Sequence, residues 1–278
     1  TLIKDSKFKL QIVLIPVHLA NISYDEQMEQ MEKFFLSKGY KNIVYGFKGG
    51  KFVNHDKIFT TNISFFVQNW YFATSPFSFA NMKKISKICY MPYSAGIFKP
   101  SVNPTFTYKE LGMCSYIFTV NGYVNDFYKE HNPKVTCIPS GMLKLDDYSI
   151  YSDENNKERK MIIYSPHWTA ENTEQKYASF GSFDVEYKDF LKLIKDFKNI
   201  DFVFKPHPRL EYSMVHEVKK MTQEEWDNFT KEMTSQKNCT IYNQGDYIKL
   251  FAKSDGIINN SISFIAEYQP SNKPMFFL

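Results

Sequence analysis

Apolar residues in this chain fall in short runs, and many of the segments between them are amphipathic. The stretch "KLQIVLIPV" at 9–17 reads as a buried strand, and "SYDEQMEQMEKFFLSKGY" follows with apolar spacing suited to a helix ending near Gly39. Further strands are expected at "NIVYGF", "ISFFVQ" from 63, "KICYMPY" from 87, "YIFTVN" from 116 and "KVTCIP" from 134. Polarity then rises and periodicity vanishes over 146–160, "DDYSIYSDENNKERK", which reads as a linker. Beyond it the alternation restarts. "MIIYSPH", "DFVFKPH", "TIYN", "GIIN" and "PMFFL" read as strands, and "YKDFLKLIKDF", "DYIKLFAKS" and "SISFIAEYQ" as helices.

Strands alternating with helices imply parallel sheets covered on both faces. The expected architecture is α/β, with two Rossmann-like doubly wound domains facing a cleft, residues 1–147 and 148–278. The last strand runs into the end of the chain, so the second domain is expected to continue beyond residue 278.

Composition narrows this picture. Hydrophobic residues make up 43% and charged residues 23%, with 26 Phe and 19 Tyr, so disorder is not the default reading. Cys89, Cys114, Cys137 and Cys239 are too dispersed for a disulfide ladder or a zinc ribbon and fit a reducing cytoplasm. No apolar run approaches the roughly 18 residues that would span a bilayer, and no signal-peptide pattern opens the chain. Residues 1–150 hold 17 Lys+Arg against 11 Asp+Glu, and the remainder 17 against 19. A basic first half suits an anionic acceptor or a membrane surface, but scattered basic residues without a binding motif argue against nucleic acid. The aromatic run "SFFVQNWYFATSPFSF", 64–79, reads as core and cleft wall, with an exposed apolar surface as the alternative.

Candidate chemistry lies at strand ends, where open parallel sheets bind ligands. "YSPHW" puts His167 after one strand. "FVFKPHPRL" ends another in Lys205, His207 and Arg209, and "INNSIS" joins a third to a helix starting near Asn260 or Ser261. Imidazoles, a guanidinium, the hydroxyls of Ser261 and Ser263 and backbone N–H groups at the helix start together describe a pocket for a diphosphate. His167 and His207 find no third ligand at metal-site spacing, and no Asp-x-Asp motif is present, so no metal or cofactor is expected. Gly-x-Ser-x-Gly, Gly-x-Gly-x-x-Gly and P-loop motifs are also absent.

The succession "YSPHW", "KPHP" and "YIKLFAKSDGIINNSISFIAEYQPSNKPMFFL" resembles the catalytic region of the CDP-glycerol glycerophosphotransferases, which build teichoic acids and related bacterial surface polymers. In that family a segment Asp-Val-Leu-Ile-Thr-Asp-Tyr-Ser-Ser precedes a helix and Lys-Pro follows. Asp255 stands at the first Asp, Asn260 at the second, Ser263 at the second Ser, and Lys273-Pro274 at the Lys-Pro. "CSYIFTVNGYVNDFYKEHNPKVTCIPSGMLKLDD" resembles a stretch leading to Gly-x-Pro-x-x-Asp, with Gly141 and Asp146 or Asp147 as approximate matches. The resemblance spans roughly residues 85 to 278.

It implies a GT-B-like fold, with residues 1–147 as the acceptor-side domain and 148–278 as the domain holding the nucleotide donor, and transfer of a glycerol-phosphate or polyol-phosphate group from a CDP-linked donor to a hydroxyl of a capsule, teichoic-acid-like or lipopolysaccharide polymer. It also implies that His207 and Ser263 contact the donor diphosphate, with His167 and Arg209 nearby. The enzyme would work in the cytoplasm, at the inner membrane face when its polysaccharide or lipid-linked acceptor requires it. One departure matters. Where many members carry Trp-His-Gly-Thr-Pro, this chain has "MPYSAGI", placing Tyr93 or Ser94 at the position of a His that resembles the acceptor base. Tyrosine, with an ordinary pKa of about 10, is a poor base at neutral pH. His18, ending the first strand, is the substitute candidate. The departure keeps open a GT-B glycosyltransferase using a nucleotide sugar, in which Glu267 would hold a ribose or sugar hydroxyl. A non-catalytic nucleotide-binding scaffold is the third alternative.

Overall fold

The computed structural model describes residues 9–16, 22–53, 63–66, 76–92, 109–151, 158–170 and 181–278. These belong to two compact units, Thr1–Gly141 and Met142–Leu278.

In the first unit β1 (Ile12–Leu14) leads to α1 (Tyr24–Ser37) and β2 (Ile43–Tyr45), with β1 and β2 parallel. Ser23 caps α1 by accepting the Glu26 N–H at 3.2 Å, and the chain leaves the helix through Gly39 at φ 87°, a region that glycine enters without steric cost. A short hairpin pairs β3 (Phe47–Lys48) with β4 (Lys51–Phe52). Then come β5 (Ile63–Phe66), α2 (Phe79–Met82), β6 (Lys87–Tyr90), β7 (Tyr116–Thr119), α3 (Gly122–His131) and β8 (Thr136–Pro139). β5, β6, β7 and β8 form a parallel sheet in that order. Its core gathers Phe77, Phe79, Met82, Ile88, Leu111, Ile117 and Tyr128.

The second unit begins with a 3-10 turn, Leu143–Asp147, and α4 (Tyr148–Tyr151). Residues 146–151, read from the sequence as linker, are therefore folded, because Tyr148 is buried and its hydroxyl donates to the Glu267 carbonyl at 2.7 Å. The chain continues through β9 (Lys160–Ser165), α5 (Phe183–Asp196), β10 (Ile200–Phe204), α6 (Leu210–Tyr212), a π-helical turn (Ser213–Glu217), α7 (Gln223–Thr234), β11 (Cys239–Ile241), α8 (Ile248–Lys253), β12 (Gly256–Asn259), α9 (Ile262–Tyr268) and β13 (Met275–Phe277). Its strands form a parallel sheet in the order β11–β10–β9–β12–β13.

Alternation along those strands sorts side chains to two faces. Ile162, Tyr164, Phe202, Phe204 and Ile258 pack with residues of α5 and α7, whereas Met161, Ile163, Val203 and Ile257 pack with residues of α4 and α8. That is why the strands read as nearly continuous apolar runs. α7 is an element missing from the periodicity above. Its signal is Thr222-x-x-Glu225, a reciprocal capping box, followed by the buried stripe Trp226, Phe229 and Met233.

Asn238 ties the end of α5 to the start of β10. It is buried, and its amide donates to the carbonyls of Ile194, Phe197 and Ile200 at 3.0 to 3.1 Å. Asn238→Ala strips these acceptors of their donor and is expected to cost about 2 kcal/mol of stability, measurable by urea denaturation. An unchanged midpoint would show that water replaces the amide freely.

Candidate functional site

Counted by appearance within the second unit, its sheet order is 3-2-1-4-5, so the order reverses between β9 and β12. A parallel sheet opens a crevice beyond the carboxyl ends at such a switch point, because the flanking crossovers leave in opposite directions. His167 follows β9, His207 follows β10, and Asn260 follows β12.

Two contacts bind these segments together, and a third ties Asn260 to the start of α5. The His167 N–H donates to Asn260 Oδ1 at 2.6 Å across the switch point, the His207 N–H reaches the Pro166 carbonyl at 3.4 Å, and Asn260 Nδ2 donates to Ser182 Oγ at 3.2 Å. Pro206 and Pro208, each with a locked φ, stiffen the segment that carries His207. The two imidazoles stand with ring centroids 5.5 Å apart.

Hydrogen bonding sets the tautomer of both rings. The Arg209 N–H donates to His207 Nδ1 at 3.1 Å, and the Thr169 N–H donates to His167 Nδ1 at 3.3 Å. Thr169 Oγ1 lies 2.9 Å from the same His167 nitrogen and accepts the Gly181 N–H at 3.2 Å. With Nδ1 accepting in each ring, the neutral imidazoles carry their protons on Nε2 and can donate there. Burial lowers the His167 pKa to about 4. It lowers that of His207 to about 3, assisted by the charges of His167, Lys205 and Arg209. Both are therefore neutral donors near pH 7.

Trp168 and Arg209 complete the cluster. The guanidinium carbon lies 4.4 Å from the Trp168 ring centroid, and Arg209 also pairs with Glu217 at the end of the π-helical turn. Trp168, Thr169 and Glu217 were not among the sequence candidates. A tryptophan directly after His167 in "YSPHW" was the available signal for the first, but nothing local marks the other two.

The remaining candidates are more dispersed. Asn260 is fully buried and spends its amide clamping the His167 segment to Ser182. The Ser261 N–H donates to Asn259 Oδ1 at 3.1 Å, while its hydroxyl makes no cap hydrogen bond to α9. Ser263 is exposed on the first turn of α9. Glu267 is 2% exposed, and its carboxylate is engaged by Lys144 at 2.5 Å and by the Tyr247 hydroxyl, so it braces α9 internally. Lys205, which the sequence places at the strand tip beside His207, is also buried: at 5% exposure its ammonium sits 4.7 Å from the Tyr247 ring centroid. Pleating decides this, since Lys205 shares the face of Val203. His18, Tyr93 and Ser94 lie outside the described residues.

Among the described residues no group of three His, Cys, Asp or Glu is placed to hold a metal ion, and no helix is long and apolar enough to cross a membrane.

No protein-family model and no curated protein matches this chain. Solved structures do. A UDP-N-acetylglucosamine 2-epimerase superimposes with a TM-score of 0.58 at 13% identity, covering 100% of this chain and 72% of its own. A wall teichoic acid polymerase, TagF, soaked with CDPG gives 0.48 at 13% identity, covering 78% of this chain and 52% of the polymerase. A complex of S. aureus MnaA with UDP gives 0.47 at 13% identity, covering 78% of this chain and 57% of its own. The chain thus spans about half the length of the polymerase. At such identities likeness speaks to architecture, and the full-length superposition together with the parallel sheets establishes a GT-B-like α/β fold.

Proposed function

We propose that the carboxyl ends of β9 and β10 hold the diphosphate of a CDP-linked donor, and that the protein transfers a glycerol-phosphate or related polyol-phosphate group to a hydroxyl of a bacterial surface polymer. The observation that carries this reading is the pair of neutral imidazoles, His167 and His207, 5.5 Å apart beside the switch point with Nδ1 satisfied in each ring. A diphosphate is rich in acceptors, and two N–H donors suit it. The resemblance in "YSPHW" and "KPHP" supports the same chemistry.

In the transfer, the acceptor oxygen bonds to the phosphorus of the polyol-phosphate, the bond to the CMP oxygen breaks, and CMP leaves with the electron pair. His167 and His207 stabilise the charge that gathers on the departing phosphate. Arg209 adds its charge when the ligand competes with Glu217. His18 is the candidate that takes the acceptor proton. No cofactor is invoked, and the acceptor is a polysaccharide or lipid-linked chain at the inner membrane face.

The second reading is a transferase using a nucleotide sugar, favoured by "MPYSAGI" standing where the resembling family carries its basic His. Calorimetric titration with CDP, CMP, UDP and GDP separates the two. CDP is expected to bind tightest. Preference for UDP or GDP would favour the nucleotide-sugar reading, and failure to bind any of the four would remove both.

A further inference from the structure

The sheet presents a second set of polar groups at the same strand ends, on the face opposite to Tyr164 and Phe204. Asn259 pairs in register with Ser165, and Lys205 lies one position beyond the Phe204–Tyr164 pair, its carbonyl accepting the Ser165 hydroxyl at 2.6 Å. Pleating therefore puts Lys205, Ser165 and Asn259 in one row across β10, β9 and β12, on the face where Val203, Ile163 and Ile257 pack. Their exposures are 5%, 2% and 0%.

Two donors in this row are unused. Asn259 Oδ1 accepts the Ser261 N–H, but Nδ2 has no partner among the described residues. The Lys205 ammonium rests against the rings of Tyr247 at 4.7 Å and Phe264 at 5.5 Å, with no hydrogen-bond acceptor among the described residues. Ring faces offset only part of the cost of removing an ammonium from water.

Charge is also unbalanced. Glu267 is the carboxylate whose field acts on Lys205, and it is already ion-paired with Lys144 and hydrogen-bonded by Tyr247. Lys144 and Lys205 thus share one carboxylate. Burial lowers the Lys205 pKa to about 8, with Glu267 opposing, so the ammonium remains charged at pH 7. An arriving anion would supply the missing charge and the missing acceptors together.

We propose that Lys205 and Asn259 form a buried anion contact that takes a phosphoryl group of a diphosphate, beneath the strand ends that carry His167 and His207. β10 and β12 flank β9, so Lys205 and Asn259 stand on either side of Ser165 in the same row. The inference rests on reading this end of the sheet as a diphosphate site, but it needs no particular nucleoside.

The test is calorimetric titration of the 278-residue chain with inorganic pyrophosphate and with CDP at pH 7. Lys205→Met keeps the apolar stem and deletes the charge. Asn259→Asp keeps the Oδ1 that accepts Ser261 and replaces the free donor with a carboxylate oxygen. Each variant is expected to bind pyrophosphate about 30-fold more weakly or worse, with thermal unfolding near that of the wild type. A lysine that merely balances Glu267 gives the opposite pattern in Lys205→Met, lower thermal stability with pyrophosphate affinity intact, and that result overturns the proposal. So does a wild-type protein that binds no pyrophosphate. Pyrophosphate binding that depends on Lys205 without any nucleotide binding would uphold the contact while removing the CDP-donor reading. CDP binding indifferent to both variants would do the reverse.

Discussion

A His207→Ala variant is expected to bind CDP about 10- to 100-fold more weakly than the wild type, the loss of one or two hydrogen bonds to a charged group at 1.4 kcal/mol per tenfold. His207→Asn is the informative companion, because it keeps a polar group of similar reach but removes the titrating ring. The sign of the pH effect follows from the lowered pKa values. Folding holds His207 and His167 neutral down to about pH 3 and 4, while an unfolded chain protonates its histidines near their ordinary value of 6.5. Their contribution to stability is therefore complete above 6.5 and lost as pH falls toward 3 to 4. Melting temperatures of the wild type should fall through this window, and those of His207→Asn should fall less steeply. Parallel profiles would mean that His207 is solvated in the folded protein and is not the preset donor argued above.

Gly181→Ala is expected to be among the most damaging single-atom additions in the second unit. A Cβ at this position would stand 1.8 Å from the Thr169 carbonyl oxygen and 2.8 Å from its carbonyl carbon. Both are backbone atoms, so no rotamer change relieves the clash, and the Thr169 segment must move. Overpacking of this kind costs about 1–3 kcal/mol, and here the site pays as well. Thr169 is fully buried, and its hydroxyl links the Gly181 N–H to His167 Nδ1. Displacing it releases the ring from its tautomer. The expected outcome is a lower melting temperature together with weakened CDP binding. Thr169→Val tests the hydroxyl contact alone, since it retains volume and the backbone N–H that donates to His167 Nδ1; it should weaken binding less than Gly181→Ala, with a smaller loss of stability. Gly181→Ala with wild-type melting would show that the 169–181 approach is loose and the tautomer argument unsupported.

Much of the fold was legible along the chain because the relevant signals are local. "DFVFKPH" and "MIIYSPH" read as strands because apolar runs suit a sheet covered on both faces, and α1 ends at the glycine that its periodicity indicates. α7 escaped because its apolar residues are sparse, and its capping box says more than its hydrophobicity. Residues 146–151 misled because they open with two aspartates and show no sustained periodicity, yet Tyr148 anchors them through a buried hydroxyl.

The sequence by itself determined that histidines would end two strands, that prolines would stiffen the second of those ends, and that an α/β fold would carry them. These follow from periodicity and backbone restriction within a few residues. Only the tertiary structure decided which strand ends meet. His167 and Asn260 are 93 residues apart and touch because β9 and β12 are neighbours at the switch point, a consequence of the order in which crossovers add strands. It also decided which polar side chains face the strand tips. Asn260 and Glu267 are consumed by contacts within the unit, and Lys205 is turned beneath the sheet edge by the pleat. Burial, supplied by distant elements, then lowers the pKa of His167, His207 and Lys205, because a charge loses hydration wherever the fold excludes water.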